Sequence, residues 1–178
     1  MIIGLIISLL AVIGLVALDL LIKHWAVTSL APIGSMELPI FGNTDIIGLY
    51  YTENTGAAFS FFSGSKYFLI IFVSLLLLAV AVYGIFDKNK HILKSACLIM
   101  IFSGGLGNLL DRIRNGYVVD YIELRFMDFA VFNFADILVT VGAVLLIIYI
   151  WSAEMRPGKS RRRRRSGFSK EVSKYKNR

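Results

Sequence analysis

The chain has 178 residues, 57% of them hydrophobic and 17% charged, with a mean hydropathy of +0.71, whereas a soluble domain keeps its apolar share near about half. One cysteine, Cys97, excludes an intramolecular disulfide framework or a cysteine-based zinc site. The net charge of +7 is not a nucleic-acid signal: residues 1–153 hold 8 Lys and Arg against 10 Asp and Glu, a net of −2, and residues 154–178 hold 11 against 2, a net of +9.

Four stretches lack charge for long enough to matter: residues 2–18, 67–86, 95–110 and 137–153. At a rise of about 1.5 Å per residue the second crosses a hydrocarbon core of about 30 Å unaided. The other three reach that length only by taking in ionisable residues at one end: Asp19 and Lys23, Lys94 or Asp111, and Asp136. Buried helices of a soluble protein would need partners with polar faces, and the sequence offers none. The first stretch has no basic n-region and no small-residue cleavage site, so it reads as a retained helix rather than a signal peptide.

Between the first two spans, Gly34, Pro39, Gly42 and Asn43 divide the chain into short pieces, and residues 45–53 are strand-like. Residues 121–132, between the last two spans, mix alternating and continuous apolar stretches, and neither connection reads as a helix. The expected fold is an α-helical integral membrane protein with four transmembrane helices, at about 2–23, 66–86, 92–111 and 133–152, and a small extracytoplasmic β-sheet built from outer loops 26–65 and 112–132. Residues 1–155 form the four-span domain. Residues 156–178, with five consecutive arginines at 161–165, form a basic, disordered tail. The cations of that tail and Lys88, Lys90 and Lys94 belong in the cytoplasm by the positive-inside rule, so both termini are expected there. The tail is expected to rest on anionic lipid rather than on RNA, since only Phe168 and Tyr175 interrupt its polar residues.

A carboxylate at membrane depth costs about 2.5–3.5 kcal/mol, so acids near span ends are functional candidates. The antiparallel third and fourth spans, joined by about twenty residues, can bring Asp120 and Asp136 together at the outer interface. Two carboxylates sharing a dry site divide one proton between them, which suits amide hydrolysis: one deprotonates water while the other protonates the carbonyl oxygen. Asn108 and Arg112 either touch substrate or hold the acids. Asp111 and Arg112 could equally cap and anchor the third span, and Asp136 could be a simple acid at a helix start. Asp19 and Lys23 lie at i, i+4 and read as a mutually neutralising pair. Glycines 104, 105 and 107 read as close-packing positions. His24 and His91 are isolated, so no histidine metal site is expected.

The motifs Asp19-x-x-x-Lys23, Asn54-Thr55-Gly56-Ala57-Ala58-Phe59, residues 104–112 (GGLGNLLDR), Val118-Val119-Asp120-Tyr121 and Phe132-Asn133-Phe134-Ala135-Asp136, in that order, resemble the lipoprotein signal peptidase family, also called signal peptidase II or prolipoprotein signal peptidase. The resemblance runs to about Trp151. It implies an aspartic endopeptidase of the bacterial inner membrane, with its active site at the outer face, that removes the signal peptide from diacylglyceryl-modified prolipoproteins by cutting before the lipidated cysteine. Carried onto this sequence, it makes Asp120 and Asp136 the catalytic pair, lines the substrate site with Asn54, Gly56, Asn108, Arg112 and Asn133, and leaves Asp19, Lys23 and Asp111 as structural polar residues. It implies no metal and no other cofactor. The expected partners are the prolipoprotein substrate and membrane lipids, with no nucleic acid, and the chain is expected to act as a monomer. The competing readings are a small ion- or proton-coupled transporter with Asp120 and Asp136 as a relay, which needs acids near the midplane among broken helices, and a membrane assembly factor without chemistry, which would tolerate loss of either Asp.

Overall fold

Leucine, isoleucine and valine on nearly every side of the long helices leave no polar face to turn toward water. The structure, a computed structural model, describes residues 2–40, 42–56, 66–87 and 91–155. Among them are four helices long and apolar enough to cross a membrane: α1 (Ile2–Trp25), α2 (Lys66–Phe86), α3 (Ile92–Arg114) and α4 (Phe134–Glu154). Their outer surfaces are apolar, with Ile3 74%, Leu75 61% and Ile147 64% exposed, as helices do when lipid takes the place of water. Lys88 and Lys90, the motif residues Ala57, Ala58 and Phe59, and the tail from residue 156 lie outside the described residues.

Helix α3 is the hub, packing against α1, α2 and α4. It can do so because its buried face is small or polar: Cys97, Ser103, Gly104, Gly107, Asn108 and Asp111. A Cβ at Gly104 would collide with the backbone oxygen of Ala135, and one at Gly107 with the Asp19 carboxylate. Side chains at these positions would push α4 and α1 away, so the glycine-rich segment sets helix separation. Helices α3 and α4 run unbroken through their apolar lengths.

Lys94, inside the expected third span, is a buried residue in the first turn of α3, ion-paired with Asp87 and 5.8 Å from the centre of the Tyr83 ring.

The polar connections fold into one three-stranded antiparallel sheet in the order β1 (Ser35–Ile40), β2 (Asn43–Asn54), β3 (Val118–Leu124). The first connection also departs from the expected loop. Helix α1 continues through a π-helical turn, Ala26–Leu30, because Ala26 and Leu30 are fully buried against Val119 and Tyr121, beneath the sheet. At the other end, Gly116 at φ +86° donates to Arg112 O at 3.2 Å, a left-handed turn that stops α3 and delivers the chain into β3.

The pairing of β2 with β3 shifts between Leu49 and Thr52: Leu49 faces Ile122 and Thr52 faces Asp120. Two residues of β2, Tyr50 and Tyr51, thus stand against Tyr121 alone. Such a bulge bends and twists the strand locally, and it lies immediately beside Asp120.

Candidate active site

Three elements deliver the acids and their partners. Strand β3 carries Asp120, the C-terminal half of α3 carries Asn108, Asp111 and Arg112, and α4 begins at its cap Asn133 with Asp136 in the first turn. Asn133 has extended backbone angles (φ −132°, ψ −179°). Its side-chain oxygen accepts from the Asp136 backbone N–H at 3.0 Å, while the Asp136 Oδ2 accepts from the Asn133 backbone N–H at 3.0 Å. This capping box satisfies donors that a helix start otherwise leaves bare. The Tyr121 hydroxyl accepts the next N–H, that of Phe134, at 3.1 Å.

The cap also faces the sheet. Asn133 Nδ2 donates to Asp120 Oδ1 at 2.6 Å, and Asn54 Nδ2 donates to Asp120 Oδ2 at 2.9 Å. Asn54 is itself held by Gly56, whose backbone N–H donates to Asn54 Oδ1 at 2.8 Å. Gly56 has φ +103°, a conformation L side chains rarely adopt, and a Cβ there would press on Leu69.

Asp136 is bound on its other side. Asn108 Nδ2 donates to Asp136 Oδ1 at 2.8 Å, and Asn108 Oδ1 accepts from Asn133 Nδ2 at 3.1 Å and Lys23 Nζ at 2.9 Å. Asn133 therefore joins the two candidate acids directly, and Asn108 links Asp136 back to the Asn133 side chain.

The two acids differ in surroundings. Asp120 is 1% exposed. Burial pushes its carboxyl up to about 6; the Asn54 and Asn133 amides and the Lys23 charge act against this, and the Asp136 charge adds to it. Asp136 is half-buried and, with Asn108 and Arg112, lines a groove of about 270 Å³ between α2, α3 and α4, walled by Leu76, Leu77, Ile101 and Val139. Arg112 donates to the Asn108 carbonyl at 3.4 Å. One acid faces the groove and the other lies covered by amide side chains.

Asp19 and Lys23 pair at 2.9 Å, but the pair is not self-contained. Lys23 Nζ also meets Asp111 Oδ2 at 3.0 Å, and Asp111 accepts the Val119 backbone N–H at 3.2 Å, tying α1, α3 and β3 together one residue from Asp120. All the candidates named from sequence thus lie on one connected network except Arg112, which touches it through a backbone carbonyl. Sequence reasoning missed Tyr121, the groove-lining Thr140 and the sheet clamp Arg125, which ion-pairs with Glu37 at 3.2 Å and Glu123 at 3.3 Å. Tyr121 directly follows Asp120 in a motif, the one signal available for it. Among the described residues no group of three His, Cys, Asp or Glu could hold a metal ion.

The signal peptidase (SPase) II family model matches residues 11–152. The chain is 40% identical over 144 residues to the lipoprotein signal peptidase of Streptococcus thermophilus (strain CNRZ 1066), covering 81% of this chain and 92% of that protein. It is 42% identical over 146 residues to that of Streptococcus pyogenes serotype M2 (strain MGAS10270), covering 82% and 93%. Two solved structures of bacterial membrane enzymes, determined by the in meso method at 2.3 and 1.9 Å, superpose with TM-scores of 0.76 and 0.72. They share 29% and 30% identity and cover 85% and 84% of this chain, and 92% and 93% of their own. A match of the family model and of these relatives over most of its length makes this chain, on a four-helix scaffold shared with bacterial membrane enzymes, a member of the signal peptidase II family of peptidases.

Proposed function

We propose that this chain is an aspartic endopeptidase that removes the signal peptide from diacylglyceryl-modified prolipoproteins, cutting before the lipid-bearing cysteine, with Asp120 and Asp136 as its catalytic pair. The observation that carries the reading is the joining of two unlike carboxyls through one residue, Asn133, whose side-chain amide donates to Asp120 and whose backbone N–H donates to Asp136. Asp120, buried and raised to about 6, keeps the shared proton. Asp136, facing the groove, takes a proton from the attacking water. Asp120 donates to the carbonyl oxygen, and the roles reverse as the amine leaves. Arg112 and Asn108, beside Asp136 in the groove, orient the scissile segment, and the apolar groove wall receives the chain or acyl groups that precede and follow it. Asn54, Gly56 and Asn133 hold the covered acid, and Asp19, Lys23 and Asp111 brace the scaffold.

Lys88, Lys90 and the arginines at 161–165 favour the cytoplasm for the α2–α3 loop and the tail. The sheet and the pair then lie at the outer face of a bacterial inner membrane, with both termini inside. Substrate, anchored by its acyl chains and signal helix, diffuses laterally to the site. The chain acts as a monomer, since α1, α3, α4, β2 with the turn that follows it, and β3 of one copy supply the whole pair and its supports.

Incubating the purified protein with a lipid-modified precursor and with its unmodified counterpart tests this. Release of the signal peptide from the modified precursor alone is expected; no release from it, or equal cleavage of both, overturns the reading.

A further inference from the structure

Lys23 is fully buried, 2% exposed, and an ammonium has three N–H donors and no acceptor. In this structure three acceptors surround it: Asp19 Oδ2 at 2.9 Å, Asp111 Oδ2 at 3.0 Å and Asn108 Oδ1 at 2.9 Å. Neutralising the two carboxylates accounts for the first two contacts. The third goes to a neutral amide, whose nitrogen in turn donates to Asp136 Oδ1 at 2.8 Å.

We propose that Lys23 is a positioning residue of the peptidase reaction, acting through Asn108 to fix the candidate base Asp136; the proposal rests on the function assigned above. An asparagine amide has two orientations related by a half turn. In the one adopted, Asn108 offers its oxygen to the Lys23 ammonium and the Asn133 amide, and its nitrogen to Asp136. Reversed, it would aim N–H groups at an ammonium and at another N–H donor, and its oxygen at a carboxylate. Every one of these contacts is repulsive. Asn133 biases the amide with a neutral donor at 3.1 Å; Lys23 does so with a charged one at shorter range, and hydrogen bonds from charged donors are roughly twice as strong as neutral ones. Because Asp136 faces the groove, its oxygen Oδ1 is held, among the described residues, by this amide, while Oδ2 is held by the helix cap. The ammonium on α1 thus sets the direction in which a carboxylate on α4 presents its lone pairs, without touching it.

A lysine that only neutralises predicts a different outcome from one that orients. Removing Lys23 alone leaves two buried carboxylates uncompensated, so the informative variant is the charge-matched pair Lys23→Met with Asp19→Asn, which preserves the net −1 of the three groups. The expected result is a folded protein whose kcat falls about 10²-fold with KM unchanged, the scale of a small misplacement of a reacting group. Asp19→Asn alone, which leaves the Asn108 contact in place, keeps kcat within about twofold of wild type. Wild-type kcat in the paired variant, or an equal loss in Asp19→Asn alone, overturns the proposal. If the paired variant does not fold, wild-type protein with selectively labelled asparagine decides: the Asn108 side-chain amide protons must be protected from exchange with solvent, and exchange at the rate of a free asparagine amide overturns the proposal. Asp136→Asn is assayed beside them. Activity in that variant would defeat the assigned function itself, whereas an inactive Asp136→Asn with a fully active paired variant defeats only the role of Lys23.

Discussion

Asn133 and Asp136 exchange two hydrogen bonds of 3.0 Å, each accepting the other's backbone N–H, and the same Asn133 side chain reaches Asp120 at 2.6 Å. Helix capping and the joining of the acids are therefore two uses of one amide, separable by substitution. Asn133→Ser keeps an oxygen that can cap but has no nitrogen to offer Asp120. Its thermal stability in detergent should fall by about 1–3 kcal/mol, because buried Asp120 Oδ1 loses its donor, while turnover drops at least about 10²-fold. Asn133→Ala loses both functions, with a further destabilisation of about 0.5–2 kcal/mol. Equal turnover in Asn133→Ser and wild type would disconnect the cap from the chemistry.

Asp120→Asn and Asp136→Asn should each lower kcat by about 10³-fold or more, because an amide can neither take the water's proton nor return it. Both variants remain folded. Each substitution also leaves one of the acid's two donors without an acceptor, the Asn133 backbone N–H or Asn108 Nδ2 at Asp136 and Asn133 Nδ2 or Asn54 Nδ2 at Asp120, at a cost of about 1–3 kcal/mol in either variant. Unfolding curves and single-turnover assays on the same preparations check both effects.

The raised carboxyl of Asp120 gives the pH profile a direction. The productive pair holds one proton, and the group whose pKa stands at about 6 is the one that keeps it. Raising the pH through that value strips the proton, so kcat/KM should fall by about tenfold per unit above about 6, with the limb belonging to the pair as a coupled unit. Bound substrate displaces water from the groove and strengthens the burial effect, so the corresponding limb of kcat lies at higher pH. A kcat/KM that rises between pH 6 and 8 would show that the ionised pair is the working form.

The spans and the two acids were legible in the sequence because each depends on a local signal: runs without charge, and carboxylates where apolar runs end. The strand character of residues 45–53 was legible for the same reason and appears within β2. What could not be read were pairings between distant segments. Asp19 and Lys23 looked complete as a local ion pair, and nothing along α1 announces that Asn108 lies 85 positions on and within reach. The π-helical turn at Ala26–Leu30 was missed because its cause is burial against Val119 and Tyr121, a tertiary contact, and β1 because its residues pair only once β2 exists. The bulge at Tyr50 and Tyr51 is a property of register, which no single strand carries.

The glycines of α3 divide by what surrounds them. Gly104→Ala should destabilise the protein by about 1–3 kcal/mol, because the new methyl meets the Ala135 carbonyl, Val139 and Leu138 and must displace the start of α4. Turnover should fall with it, since Ala135 adjoins Asp136. Gly14→Ala, with nothing within 4 Å, should be neutral or stabilising by up to about 1 kcal/mol. Melting temperatures of the two variants in one detergent decide; similar values would remove close packing as the reason for glycine at 104.

The placement of Asn133 and Asp136 on the last helix also imposes an order on how the protein becomes active. A nascent chain emerging from synthesis has Asp120 and every span but one before residue 133 exists, yet it holds half of the acid pair and no cap to bridge it. If the proposed pair does the chemistry, competence to cut peptide bonds waits for α4 to dock on the glycine face of α3.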